Sequence, residues 1–373
     1  MYIIAVIAII FLAYYNGAND NFKGVATLFG SDTTDYRKAI WWATITTFLG
    51  SISAIFLAGE LVKNFSGKGL IPDEIIGSVQ FIIALTMGAA LTVMIASKAG
   101  MPVSTTHSLI GGLIGCGLVS AASELNFTKL GNTFVLPMLF SPIAAALVSY
   151  VLYIIFRVIR IAANISKETC LCAGEELNNV KLATSGNLVI RENADSEIKF
   201  KLDSNENCME LYSGKFVGIP AQELLNGMHF LSAGIVSFAR GLNDTPKIVA
   251  LMLIAPVIDL RSGLVVVGLA MAVGGLISSR KVAVTMSKKI TPMNHGQGFT
   301  ANLTTGILVI LASFFSLPVS TTQVAVGSLM GIGAVTKKSN LIVLREILFS
   351  WILTLPVAAI ISAIIYFLLT KFY

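Results

Sequence analysis

Residues 102–106 read Pro-Val-Ser-Thr-Thr, and residues 318–322 read the same five letters. Each copy runs into an apolar stretch spaced G-x-L-x-G-x-G, at Gly111, Leu113, Gly115 and Gly117 and again at Gly327, Leu329, Gly331 and Gly333. The offset between the copies is 216. A second pair recurs at an offset of 224: Asn19-Asp20-x-x-Lys23-x-Val25-Ala26 and Asn243-Asp244-x-x-Lys247-x-Val249-Ala250. A glycine, Gly17 or Gly241, stands two positions before each Asn. Two motifs in the same order at nearly one offset mean that the halves of the chain are duplicates.

The chain that carries these repeats has 373 residues, 55% of them hydrophobic and 12% charged, with a mean hydropathy of +0.81. A water-soluble domain is about 25% charged. Half that share excludes an ordinary soluble enzyme, a disordered regulator and a nucleic-acid-binding protein. Apolar segments follow one another: 3–15, 39–61, 81–96, 109–122 and 134–161, then 224–238, 248–258, 264–277, 303–315, 324–335 and 341–369. The pattern predicts an all-α polytopic membrane protein with about 10–12 membrane helical elements. Several segments fall short of the roughly 20 apolar residues a span needs, which predicts broken helices or re-entrant hairpins. Met1 leads into apolar residues with no basic flank and no small-residue cleavage site, so the first segment reads as a retained span.

Residues 162–215 break the pattern. They hold 9 of the 20 acids and 6 of the 26 basic residues, leaving a net +9 on the rest of the chain. Alternating runs such as Glu197-Ile198-Lys199-Phe200-Lys201-Leu202 predict strands, so the organisation expected is a first repeat at 1–161, a small soluble insert at 162–215 and a second repeat at 216–373. Arg157 and Arg160 precede the insert, and Arg280, Lys281, Lys288 and Lys289 crowd another loop, which the positive-inside rule places on the cytoplasmic side. Cys170, Cys172 and Cys208 could offer three thiolates to a metal, but no fourth ligand is evident and unpaired structural cysteines are expected.

Asp20 follows 13 apolar residues, about 20 Å of helix, which carries it deep into a hydrocarbon core about 30 Å thick. Asp244 stands similarly. Each ionisable group at that depth costs about 2.5–3.5 kcal/mol, so both need partners. The plain reading is an ion pair with Lys23 or Lys247. Against it, Asn beside Asp supplies hard oxygen donors suited to sodium, and Gly17, Gly241 and Pro246 favour unwound backbone with free carbonyls. Pro-Val-Ser-Thr-Thr ahead of a Gly-rich helix is a helix start, its Ser or Thr capping and its free amides attracting an anion. Two carboxylates and a phosphate in one dehydrated site would repel strongly unless cations are bound with them. Lys23, Lys247 and Arg240 could supply part of that charge.

These motifs resemble those of the inorganic phosphate transporter (PiT) family of cation-coupled phosphate symporters. The likeness lies in Gly-Ala-Asn-Asp at 17–20, Gly-Leu-Asn-Asp at 241–244 and the two Pro-Val-Ser-Thr-Thr copies, and it spans both halves but not the insert. It implies two inverted-topology repeats, hairpins that enter the membrane without crossing it, a cytoplasmic central loop and a homodimer in the cell membrane. It implies sodium bound at Asn19, Asp20, Asn243 and Asp244, and phosphate contacted by Ser104, Thr105, Thr106, Ser320, Thr321 and Thr322, with no catalytic residue and no cofactor beyond the co-transported sodium. Two departures stand out. Many members carry His after both Ser-Thr-Thr runs, whereas His107 here is matched by Gln323, and Lys23 stands where small residues are common.

The expected function is sodium-coupled symport of inorganic phosphate by alternating access around a site at the repeat interface. Proton-coupled phosphate or sulfate transport is the alternative, because a hydroxyl-bearing helix start accepts any tetrahedral oxyanion. A channel fits less well, since the motif pairs lie within one chain, and no nucleophile–base pair or Walker sequence suggests an enzyme.

Overall fold

The computed structural model describes residues 1–57, 62, 65, 67, 69–166, 168–176, 198–204, 207, 212–254 and 259–372. Cys208, Glu197 and the ends of the apolar runs at Leu61 and Ile258 lie outside the described residues. Two compact units are present, one made of 1–154 with 229–373 and one of 155–228. The long helices are α1 (Tyr2–Asp20), α2 (Tyr36–Leu57), α3 (Val79–Ala99), α4 (Thr105–Ala121), α5 (Leu136–Ala162), α6 (Ala221–Ile254), α7 (Leu260–Ser278), α8 (His295–Phe314), α9 (Thr321–Thr336) and α10 (Leu341–Phe372). Among the described residues, eight helical stretches are long and apolar enough to cross a bilayer. The chain is a polytopic helical membrane protein.

Glycine decides which helices touch. On α4, a Cβ at Gly111 or Gly115 would strike the backbone of α10 at Leu355 or Ala359. On α9, Gly327 and Gly331 meet the backbone of α5 at Pro142 and Ala146 in the same way. Thus the G-x-L-x-G-x-G helix of each half lies against the last long helix of the other half. Close backbone approach of this kind is how helices gain dispersion contact in lipid, where no hydrophobic drive is available between them. The exchange repeats elsewhere, with Gly17 and Gly274 joining α1 to α7 and Gly241 and Gly50 joining α6 to α2. The outward face of α5 carries the exposed residues Leu139, Phe140, Ile143, Leu147 and Val151, an apolar surface suited to lipid chains.

The turns before α4 and α9 repeat too. Gly100 ends α3 with φ +72°, and Ser316, at the equivalent position of the second half, has φ +58°. Extended backbone then leads to Ser104 and Ser320, whose Oγ atoms accept from His107 N and Gln323 N at 3.2 Å each. Both predicted helix starts are therefore capped as expected.

The second Asn-Asp region departs from expectation. The sequence predicts separate segments at 224–238 and 248–258 with unwound backbone between them, yet α6 runs unbroken through Gly241 and Pro246. Proline removes one backbone donor and strong helix on either side holds the rest, while Gly241 serves close packing against Thr47. In the first half the helix does not unwind either: α1 runs through Gly17 to Asp20, and the chain tightens into a 3-10 stretch, Asn21–Val25, that continues into a short α-helical run, Ala26–Gly30. The basic stretch 280–289 is also helical, an α-turn over Arg280–Val284 followed by a π-turn over Thr285–Lys289.

Unit 155–228 holds a three-stranded antiparallel sheet in the order β2-β1-β3, from β1 (Thr169–Glu176), β2 (Ile198–Ser204) and β3 (Tyr212–Pro220). Leu171 faces Leu202 on one side and Ile219 on the other. The strand predicted from Ile198 onward is present. Cys170 is free and buried, whereas Cys172 is disulfide-bonded, a correction to the expectation of unpaired cysteines. The Asp203 carboxyl, hydrogen-bonded by Asn207, Lys201 and its own strand end, is held down at about 2.

Candidate functional site

The two Asn-Asp motifs and the two Ser-Thr-Thr motifs meet in the interior of the first unit. Asp20, Asp244, Lys23, Lys247 and Arg240 are each between 1% and 5% exposed. Five formal charges at that burial must satisfy one another, and the contacts show how they do so.

Thr105 Oγ1 donates to Asp20 Oδ2 (3.2 Å) and Thr321 Oγ1 to Asp244 Oδ2 (3.3 Å). Each Asn-Asp motif thus docks on the helix start of its own half. Asn19 is pinned further: its Nδ2 donates to Ser97 Oγ and to the Met101 carbonyl, both at 3.0 Å, and its Oδ1 accepts from Val103 N at 3.1 Å. Asn243 Nδ2 donates to the Val319 carbonyl at 3.3 Å and its Oδ1 accepts from Ser313 Oγ at 3.4 Å. Ser97 and Ser313 are themselves equivalent, related by the same offset that carries Ser104 onto Ser320.

The lysines cross between halves. Lys23 Nζ pairs with Asp20 Oδ1 and donates to Asn19 Oδ1 (2.8 Å), the Val103 carbonyl (2.8 Å) and Thr322 Oγ1 of the second half (2.5 Å). Lys247 Nζ donates to Asp244 Oδ1 (3.3 Å), the Val319 carbonyl (2.8 Å) and Thr106 Oγ1 of the first half (3.0 Å). Thr322 Oγ1 in turn donates to the Val103 carbonyl at 2.9 Å. The ion pairs that sequence reasoning gives as the plain alternative are present.

Of the ten site residues expected from sequence, all are buried and gathered in this cluster. Ser104 and Ser320 spend their oxygens as caps, Thr105 and Thr321 face the carboxylates, and Thr106 and Thr322 face the lysines. Sequence reasoning missed Asn16, whose Nδ2 donates to Asp20 Oδ2 (3.0 Å) and Thr105 Oγ1 (2.9 Å). Arg240, at the position equivalent to Asn16 in the second half, reaches back across the repeat. Its Nη2 donates to Asn16 Oδ1 (2.6 Å), its Nη1 to Asn21 Oδ1 (3.1 Å), and its Nε lies 3.6 Å from Asp244 Oδ2. Repeat matching could not reveal this pair, because the two letters differ.

The constellation carries hydroxyls, amides and cations, with no nucleophile–base pair among the contacts above. Residues 16–362 match the phosphate transporter family. The chain belongs to that family. It is a transporter-family protein and not an enzyme. A protein of Pyrococcus abyssi provisionally named a phosphate permease is 28% identical, the match covering 95% of this chain and 94% of the relative. A Haemophilus influenzae protein with the same provisional name is also 28% identical, over 96% and 94%. A solved structure entitled "The sodium-dependent phosphate transporter" superposes with a TM-score of 0.76 at 24% identity, over 100% of this phosphate transporter-family chain and 99% of that one. That likeness bears on the fold.

Proposed function

We propose that this chain carries inorganic phosphate across the cell membrane as a secondary transporter working by alternating access, with the basic stretch 280–289 and the 162–215 insert on the cytoplasmic side. The observation that carries the reading is the convergence of two capped helix starts, each with two further hydroxyls, on buried cations from both halves. Amides and dipole at a helix start favour an anion, and charge-assisted donors give a tetrahedral oxyanion its strongest contacts. Ser104, Thr105, Thr106, Ser320, Thr321 and Thr322 are the phosphate contacts in this reading, and Val103 and Val319 lend the carbonyls that hold the lysines in place. The exposed apolar face of α5 meets lipid or a second copy of the chain.

Sodium symport is the finer reading made from the sequence. The name of the structural relative, a sodium-dependent phosphate transporter, supports it, with the oxygens of Asn19, Asp20, Asn243 and Asp244 as ion ligands. Radiolabelled phosphate uptake into proteoliposomes, with sodium and proton gradients imposed separately, tests both levels. Saturable uptake that stalls as the gradient collapses supports a carrier, and uptake that scales with conductance without saturation would support a channel.

A further inference from the structure

The two amino groups at the centre of the site stand where bound cations would stand. Four oxygens surround Lys23 Nζ: a carboxylate oxygen of Asp20, the amide oxygen of Asn19, the Val103 carbonyl and the Thr322 hydroxyl. Around Lys247 Nζ the set is a carboxylate oxygen of Asp244, the Val319 carbonyl and the Thr106 hydroxyl. Carboxylate, carbonyl and hydroxyl are the hard oxygen donors that a dehydrated alkali cation takes. They are also the oxygens, at Asn19, Asp20 and Asp244, that the sodium reading assigns to its ions. An ammonium group has three hydrogens to donate, and here both ammoniums find an acceptor for each.

The charge count points the same way. Asp20 and Asp244 contribute two negative charges and Lys23, Lys247 and Arg240 three positive ones, all buried. The cluster's formal charge is therefore +1 before any ligand enters. Two sodium ions in the same oxygen shells would raise it to +3 and set each ion against an ammonium at contact range, where repulsion in a dry interior is far stronger than in water. One oxyanion with a single negative charge brings the cluster to zero.

Placement completes the case. Each lysine ties a carboxylate of one half to the Ser-Thr-Thr hydroxyl of the other, and the two lysines occupy equivalent positions in the repeated Asn-Asp motifs. A single lysine could be a local accident of packing, but a matched pair that shares the carboxylate, the valine carbonyl and the threonine hydroxyl is part of the site. We infer that Lys23 and Lys247 are resident cations occupying the positions that sodium would otherwise take, so that the site loads an oxyanion with no sodium bound. The inference rests on the phosphate-carrier reading and answers its coupling question against sodium.

The test uses the purified full chain in two measurements. In proteoliposomes, phosphate uptake is compared in sodium and in choline buffers at equal pH and membrane potential. Equal uptake in both is expected; uptake lost in choline and restored by sodium overturns the inference while leaving the phosphate reading intact. Absence of uptake in both buffers counts against the phosphate reading, and the second measurement then decides the fate of the lysines. In detergent, thermal midpoints are recorded over a sodium chloride titration against choline chloride, because a ligand bound to the folded state raises the midpoint in a saturable way. The expected result is no sodium-specific shift for the parent protein, and a new saturable sodium shift for the double variant Lys23→Gln plus Lys247→Gln. A saturable sodium shift in the parent overturns the assignment whether or not the double variant folds.

Discussion

His107 and Gln323, which follow the two Ser-Thr-Thr runs at equivalent positions, face each other with their Nε2 atoms 3.5 Å apart. The repeat thus brings its own equivalent residues together. Neither touches a carboxylate, and His107 Nδ1 and Gln323 Oε1 have no hydrogen-bond partner among the described residues.

His107→Gln makes this pair identical on both sides. Because Asp20 and Asp244 already have lysine, threonine and asparagine partners, phosphate uptake is expected to persist with its pH profile unchanged between about pH 5 and 8, the range in which an ordinary histidine titrates. A profile that flattens in the variant would make His107 a proton carrier.

Thr105→Val and Thr321→Val keep volume and delete one donor each. Loss of a hydrogen bond to a charged oxygen costs about 1.5–3 kcal/mol, which corresponds to roughly ten- to a hundredfold in phosphate binding. Isothermal titration or filter binding on each variant measures this. Unaltered affinity in both would reduce these hydroxyls to supports for Asp20 and Asp244.

Gly331→Ala drives a Cβ into the backbone of α5 at Ala146, whereas nothing lies within 4 Å of the Cβ position at Gly131. Overpacking costs typically about 1–3 kcal/mol, so Gly331→Ala is expected to lower the thermal midpoint and Gly131→Ala to leave it nearly unchanged. Equal behaviour of the two variants would contradict the backbone approach of α9 to α5.

Much of this is legible in the sequence, and the failures have physical causes. The capped starts at Ser104 and Ser320 follow from residue type and position alone, because N-capping is local chemistry. The family, the membrane class and the strand from Ile198 are legible for the same reason, as pattern or motif. The crossing of Lys23 to Thr322 is not, since repeat offsets say which residues are equivalent but not which half each faces. Unwound backbone is predicted at both Asn-Asp motifs and forms at neither: the helix tightens to a 3-10 stretch after Asp20 and runs on unbroken through Asp244. Gly241 looks like a helix breaker in one dimension and is a packing contact in three.

The repeated motifs that build the cluster all lie outside residues 162–215. Replacing residues 170–210 with a flexible linker should therefore leave phosphate uptake measurable, since shortening a connection changes closure entropy only slowly. A variant that inserts and folds but transports nothing would show that the insert takes part in the cycle.

The pairing of Asp20 with Lys23 can be tested apart from transport. Removing one member of a buried ion pair strands the other and costs about 3–5 kcal/mol, while removing both can cost far less. Asp20→Asn is therefore expected to lower the thermal midpoint more than the double variant Asp20→Asn plus Lys23→Gln. The second half sharpens the comparison, because Asp244 answers two cations, Lys247 at 3.3 Å and Arg240 at 3.6 Å. Asp244→Asn strands Lys247 but leaves Arg240 with Asp20 as a carboxylate neighbour, so Lys247→Gln should rescue it much as Lys23→Gln rescues Asp20→Asn. Thermal midpoints of the parent, the four single variants and the two doubles give the coupling directly. If each double loses the plain sum of its singles, the lysines and aspartates are not a coupled pair, and the charge count behind a sodium-free site fails with them.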